Sequence, residues 1–329
     1  MLFLNRPEVE SLLDLDRLIE ALAPAMAELS AGRVSMPARV VTLVGEYGGL
    51  LAAMPAYLPS ARSLSTKLVS VFPGNVARGL ASHQAVILVF DAETGSPCAL
   101  MDGTSITAVR TAAGSALSAQ LLARADADIL VILGTGVQAR AHARAITRVR
   151  KIREIRVVGR DPQKTTILAA EIVGEQGIHT AVYCDGQQAV GGAGIVCATT
   201  HAAEPVVKGA WLEPGTHVTS VGLHPEGCEV DAEAVQRALV VVETRAAALA
   251  PGPSGANDLK WPIRDGLITE EHIHAEIGEL VSGAKPGRTS PEQITLYKSV
   301  GVAVQDAVAA RLVLEAAQKQ GVGREVKID

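Results

Sequence analysis

Residues 129–133, Ile-Leu-Val-Ile-Leu, form an unbroken apolar run that leads straight into Gly134-Thr135-Gly136-Val137-Gln138-Ala139. No other feature constrains the fold as tightly. The run is too short to cross a bilayer. It reads as a strand buried on both faces, which implies a parallel sheet covered by helices. The G-x-G-x-x-A that follows permits a tight turn and close backbone approach to a pyrophosphate, with the first N–H groups of a helix holding the negative charge. A plain strand–helix turn looks similar in isolation, but here the context on both sides suits a dinucleotide.

The same texture recurs downstream. Apolar strands at 155–158, 195–198, 218–221 and 239–242, with helices from Val137 and Pro162, predict a doubly wound sheet. The first hundred residues differ. Val9, Leu12, Leu13, Leu18, Ile19, Leu22, Met26 and Leu29 recur at helical spacing over 8–31. Turn-linked β segments follow at 39–44, 64–72, 85–90 and 98–101, which predicts an antiparallel sheet. An Ala-rich helix spans 106–124, and a last helix spans 299–320, outside the alternating pattern. With 329 residues, at about 150 per domain, two domains are expected. The fold class is therefore α/β: a Rossmann-type parallel sheet at 121–304, plus an α+β domain made of 1–120 and 305–329.

Composition narrows the partners. Three Phe, four Tyr and two Trp build few stacking platforms, and the net charge is −5, so no nucleic-acid partner is expected. The N-terminus carries acids within ten residues and no basic-then-apolar signal pattern, and no run is long enough to span a membrane. A cytoplasmic protein without membrane contact is expected. Cys98, Cys184, Cys197 and Cys228 contain no C-x-x-C pair and read as buried structural thiols. His272-Ile273-His274, read on a helix, would point its rings apart, so no metal site is expected there.

Cofactor choice turns on Val157-Val158-Gly159-Arg160-Asp161. An acidic residue at that strand end binds a ribose 2′-hydroxyl, whereas an Arg accommodates a 2′-phosphate. Gly159 holds the acidic position, Arg160 follows, and Asp161 precedes Pro162 as a helix cap. NADPH is expected over NADH, with NADH possible.

Several segments together resemble the ornithine cyclodeaminase/mu-crystallin family over nearly the whole chain. They are Ser65–Val69, Ser82–Ala85, Met101–Ala113, Gly134–Ala139 and Lys298–Gly301, the last continued by Asp306 and Ala309-Ala310. The resemblance implies a homodimer built through the α+β domain, with the active site between domains. It also implies a small imino- or amino-acid substrate and a nicotinamide cofactor.

Such a substrate carries a carboxylate, for which Arg39 and Arg110 are the candidate clamps. Lys67 lies among Leu64, Leu68 and Val69; burial there would lower its pKa and suit proton transfer, though a surface lysine can have the same neighbours. The resemblance gives Lys67 both the carboxylate contact and the proton transfer. Gln84 is expected to line the site, with Ser82 and His83 near the nicotinamide. The remaining cofactor contacts are expected from Arg110, Thr111, Gly134, Thr135, Gly136, Val137, Gln138, Arg160, Ala198, Thr199, Thr200, Val221 and Ser299. One loop departs from the family. Where the cyclodeaminase has an Asp, near His224, this chain has none until Asp231, with only Glu226 nearby. Recognition of a distal ammonium is thereby in doubt. The expected activity is reduction of a small cyclic ketimine acid, such as pyrroline-2-carboxylate or piperideine-2-carboxylate. The alternatives are ornithine cyclodeamination, alanine or other amino-acid dehydrogenation, and non-catalytic binding of a small ligand with NADPH.

Overall fold

In the computed structural model, which describes residues 1–327, the periodic N-terminal stretch forms two helices rather than one. Strand β1 (Leu2–Leu4) precedes α1 (Arg6–Leu12) and α2 (Leu15–Ser30). Asn5 and Glu8 cap α1 reciprocally, each side chain accepting the other's backbone N–H at 3.1 and 2.8 Å. Asp14 starts α2 by accepting the Arg17 N–H at 2.9 Å. Since an N-cap residue is not helical, the chain must break at Leu13 and Asp14, and hydrophobic spacing does not reveal that.

Strands β2 (Val40–Val44), β3 (Gly49–Leu58), β4 (Ser63–Val71), β5 (His83–Phe90) and β6 (Pro97–Asp102) follow, then α3 (Gly103–Leu122). Next come β7 (Ile129–Leu133), α4 (Val137–Val149), β8 (Glu154–Val158), α5 (Pro162–Gln176), β9 (His179–Tyr183), α6 (Gly186–Val190), β10 (Ile195–Ala198) and β11 (His217–Ser220). The order continues with α7 (Ala232–Arg237), β12 (Ala238–Val242), α8 (Arg245–Ala248), α9 (Asn257–Arg264), β13 (Ile273–Glu276), α10 (Ile277–Val281) and β14 (Ile294–Lys298). Then come α11 (Ala303–Gln320) and β15 (Arg324–Glu325). The chain divides into two units, Met1–Arg110 with the stretch from Val302 onward, and Thr111–Gly301.

The first unit holds a seven-stranded sheet, ordered β15-β1-β6-β5-β4-β3-β2. Its pairings are antiparallel except that of β1 with β6. Ala52, Met54, Ala56, Val69 and Ala85 on one face pack against Ala303 and Ala307 of α11. Small side chains on both sides let the helix lie close to the sheet, and the Ser63 hydroxyl donates to the Ala307 carbonyl at 2.9 Å. On the opposite face Leu51, Leu68 and Val86 are 40–46% exposed.

The second unit holds an eight-stranded sheet, ordered β13-β12-β14-β11-β10-β7-β8-β9, with every pairing parallel. From β7 the order runs outward to β9, then returns to place β10 on the other side of β7. That reversal opens the crevice where doubly wound sheets bind ligands. The α/β class with a Rossmann-type sheet is thus the observed one.

Several local expectations are corrected. β14 escaped the reading because its Thr295 and Lys298 are polar yet fully buried. His272 and His274 lie on a 3-10 turn and on β13, not on one helix, and bond the carbonyls of Val235 and Pro286 at 2.7 and 2.9 Å. Of the cysteines, Cys197 is buried, Cys98 and Cys228 are half-buried and Cys184 is exposed; all four are free thiols. Among the described residues no helix is long and apolar enough to cross a membrane.

Candidate active site

Within the first unit, three charged side chains from three elements meet in the interior. Lys67 stands on the α11-facing side of β4, Arg110 on α3 and Asp306 on α11. Lys67 Nζ lies 2.7 Å from Asp306 Oδ2, and Arg110 Nε lies 2.9 Å from Asp306 Oδ1. Arg110 Nη1 also donates to Gln305 Oε1 at 3.1 Å, and Lys67 Nζ to Thr107 Oγ1 at 3.4 Å. All of these side chains are buried. Burying a charge is costly unless it is paired, and here one carboxylate serves two cations. Burial raises the Asp306 carboxyl, but Arg110 and Lys67 outweigh this and hold it below the ordinary range. For Lys67 burial wins: with Arg110 and Arg39 adding repulsion, its pKa falls to about 8 despite Asp306. Arg39 just precedes β2, half-buried and near enough to act on Lys67. The cluster carries more cation than anion, which suits an incoming carboxylate.

His83 opens β5, across from Val71 on the Lys67 side of the sheet. Burial, then Lys67 and Arg110, lower its pKa to about 4, so the imidazole is neutral near pH 7. Ser82 precedes it, half-buried. Gln84 is not brought to this cluster. Side chains alternate along a strand, so Gln84 points to the opposite face with Leu68 and Val86 and is exposed. Asp306 and Gln305 were not singled out as site residues. The available signal was an acid inside the apolar stretch Ala303–Ala310, which must find a cation to be buried.

In the second unit, Gly134 bends the chain off β7 with φ +121°, and a Cβ there would lie 2.8 Å from Thr199 Oγ1. The Thr199 N–H and hydroxyl both donate to the Leu133 carbonyl at 2.9 Å. Gly136 is the N-cap of α4, with no side chain capping it and open space where its Cβ would stand. Arg140 braces the turn from inside, donating to the Thr135 carbonyl at 2.9 Å and pairing with Glu171 at 2.6 Å. Gln138 Oε1 is buried with no hydrogen-bond partner among the described residues, and the Val137 side chain is exposed at the helix start. An open, uncapped helix N-terminus behind a glycine bend fits a pyrophosphate.

At the end of β8, a Cβ on Gly159 would stand 2.4 Å from Thr165 Oγ1 and 2.5 Å from Thr135 Cγ2. Any side chain there would have to displace the Thr165 or Thr135 side chain. Arg160 is exposed, while the Asp161 side chain caps α5 by accepting the Gln163 and Lys164 N–H groups at 3.0 and 3.2 Å.

The remaining expected contacts differ in access. The Ala198 methyl is packed into the sheet core, and its carbonyl takes the Val221 N–H at 3.1 Å. Thr111 is buried on α3. Thr200 and Ser299 lie at strand ends but are held by Glu229 and Glu243, which sequence reasoning missed. The 221–228 loop brings no carboxylate to the position of His224. Its imidazole lies 4.8 Å from that of His201 and accepts the Glu226 N–H, while the Glu226 side chain is exposed. Asn257 fixes this loop by donating to the carbonyls of His224, Pro225 and Gly227 at 3.0–3.1 Å. Asp231 is committed to capping α7.

Known proteins are similar to this chain in sequence and fold. Ketimine reductase mu-crystallin of Mus musculus is 39% identical over 318 residues, 95% of this chain and 96% of the relative. The solved Δ1-pyrroline-2-carboxylate reductase of Thermococcus litoralis, in complex with NADH and L-proline, matches with TM-score 0.95 and 39% identity. It covers 99% of this chain and 100% of its own. An archaeal alanine dehydrogenase dimer with bound NAD matches with TM-score 0.92 and 32% identity, covering 100% and 99%. With the family model matching residues 1–321, the chain belongs to the ornithine cyclodeaminase/mu-crystallin family.

Proposed function

We propose that this protein is an NAD(P)H-dependent reductase of small cyclic ketimine acids, converting pyrroline-2-carboxylate or piperideine-2-carboxylate to L-proline or L-pipecolate. The observation that carries this reading is the buried set of Lys67 and Arg110 on Asp306, with Arg39 close by. Arg39 and Arg110 hold the substrate carboxylate, for which guanidinium forks are suited. Lys67, with a pKa of about 8, keeps a proton available to the imine nitrogen near neutral pH. When bound, the nicotinamide supplies a hydride to the C=N carbon. Protonated nitrogen and reduced carbon together give the saturated ring. The glycine bend, the α4 N-terminus and Arg160 would hold the dinucleotide. With glycine at the acidic position and an exposed Arg160, NADPH is the cofactor we favour, although the solved relatives above are complexes with NADH and NAD.

We also propose a homodimer, formed through the exposed apolar face of the first sheet at Leu51, Leu68 and Val86. Uncovered apolar faces of this kind mark association surfaces, and a solved family member is a dimer.

The deciding experiment measures NADPH and NADH oxidation against five- and six-membered cyclic imine acids, and against pyruvate with ammonia. Ornithine is tested for ammonia release. Turnover of an imine supports the reading. Ornithine release of ammonia without net cofactor turnover, or turnover of pyruvate with ammonia alone, overturns it. A strong NADH preference in kcat/KM overturns the cofactor choice.

A further inference from the structure

At the carboxyl ends of β10, β11, β14 and β12, the buried carboxylates outnumber the cation buried with them. Glu229 accepts hydrogen bonds from the ends of two strands: the Thr200 N–H and hydroxyl at 2.5 and 2.7 Å, the Ser220 hydroxyl at 2.8 Å and the Gly222 N–H at 2.6 Å. Glu243 accepts the Ser299 hydroxyl and the Val300 and Gly301 N–H groups, each at 2.8 Å. Asp258 accepts the Glu229 and Val230 N–H groups at 2.9 and 3.0 Å and pairs with Lys298 at 3.0 Å. Lys298 also donates to Ser220 Oγ and the Gly222 carbonyl at 2.9 and 2.7 Å. All four charged side chains are buried. Of the three carboxylates, Asp258 pairs with the ammonium, while Glu229 and Glu243 are held by hydroxyl and backbone N–H donors.

These bonds fix the segments at the ends of the strands beyond the switch point. In a doubly wound sheet the pyrophosphate sits at the first strand's turn and the adenosine lies toward the second strand. The other half of the dinucleotide crosses to the fourth and fifth strands, which here are β10 and β11. A nicotinamide ring is cationic when oxidised and neutral when reduced. A preorganised negative field beside it stabilises the oxidised form, and in a water-poor site such fields act strongly.

We propose that Glu229 and Glu243 are positioning residues whose uncompensated charge biases the bound nicotinamide toward its oxidised form and so favours hydride release. The inference rests on the nicotinamide-dependent reading above, but not on which imine is reduced.

Glu243→Gln is the sharper probe. Its amide oxygen can accept the Val300 and Gly301 N–H groups while its amide nitrogen donates to the Ser299 hydroxyl, so one charge is lost and the hydrogen bonds are kept. The full-length protein is titrated with NADPH by fluorescence and with NADP⁺ by calorimetry. We expect the Kd for NADP⁺ to rise roughly fivefold and that for NADPH to stay within about twofold. Glu229→Gln also loses acceptors, so it should weaken both forms, NADP⁺ more; it serves as the second variant if the first does not fold. Parallel changes in the two Kd values, or no change in either, overturn the inference. A shifted ratio in a protein that reduces no cyclic imine rejects the proposed substrate class and leaves this inference standing. An unshifted ratio with imine reduction intact rejects this inference alone.

Discussion

Lys67 must be cationic to protonate an imine nitrogen, yet its burial works against that charge. Its pKa of about 8 means the ammonium dominates below pH 8, so imine reduction should hold up to that point and fall above it. Stability should move the other way. The unfolded lysine titrates near 10.5, so between about pH 8 and 10.5 the unfolded chain binds more protons and the fold gains stability as pH rises. Rate profiles and thermal melts over that range check both signs. Lys67→Ala should lower kcat by roughly 10²- to 10⁴-fold, the usual size of acid–base assistance; an unchanged kcat would remove Lys67 from the mechanism. Asp306→Asn takes away the group that raises the Lys67 pKa, so the alkaline limb should shift below pH 8. It should also cost about 3–5 kcal/mol, since two buried cations lose their shared anion. Lys67 and Arg110 were legible in the sequence because cations among small or apolar residues need a reason. Their partner was harder to see, since Asp306 lies 196 residues beyond Arg110. Gln84 was misplaced because a residue's facing depends on a register that its neighbours in sequence do not reveal.

The dinucleotide turn was the most legible element, since a buried strand, two glycines and a helix start are all local. Its glycines are required for different reasons, and substitution should separate them. Gly134→Ala meets both a positive φ and Thr199, so it should lower the melting temperature and weaken cofactor binding. Gly136→Ala meets only open space, so the melting temperature of the cofactor-free protein should hold while NADPH binding weakens about tenfold or more. Calorimetry and thermal melts on both variants would show the contrast; equal behaviour would mean that the space beyond Gly136 is not where the ligand lies. Several strands were missed, β3 (Gly49–Leu58) among them, and one of them relies on a polar partner for its burial. β14 hides Lys298 against Asp258, which nothing in Ile294–Lys298 announces.

At the scale of the molecule, the α/β class was readable, because hydrophobic period and chain order carry that information. The uncovered face of the first sheet was not readable, since alternation cannot tell which side another surface covers. Leu68→Glu with Val86→Lys should give monomers in light scattering, with the second unit still binding NADPH. Acid should weaken the second unit. Buried His142 and His217, with pKa values lowered to about 4 and about 3 chiefly by burial, stay neutral where the unfolded chain protonates near 6.5. Stability should therefore drop as pH falls from 6.5 toward 4, by up to about 1.4 kcal/mol per unit for each histidine. A flat melting temperature over that range would contradict this. The crossing of α11 back to the first sheet also dictates an order of assembly. On a ribosome making about 5–20 residues per second, Arg110 emerges roughly 10–40 s before Asp306. Until then Lys67 and Arg110 have no anion to share and the sheet lacks the helix that covers it. The nascent chain can complete its second unit while the first waits. A product cut short before α11 would thus be a chain in which the Lys67–Asp306–Arg110 cluster had never been assembled.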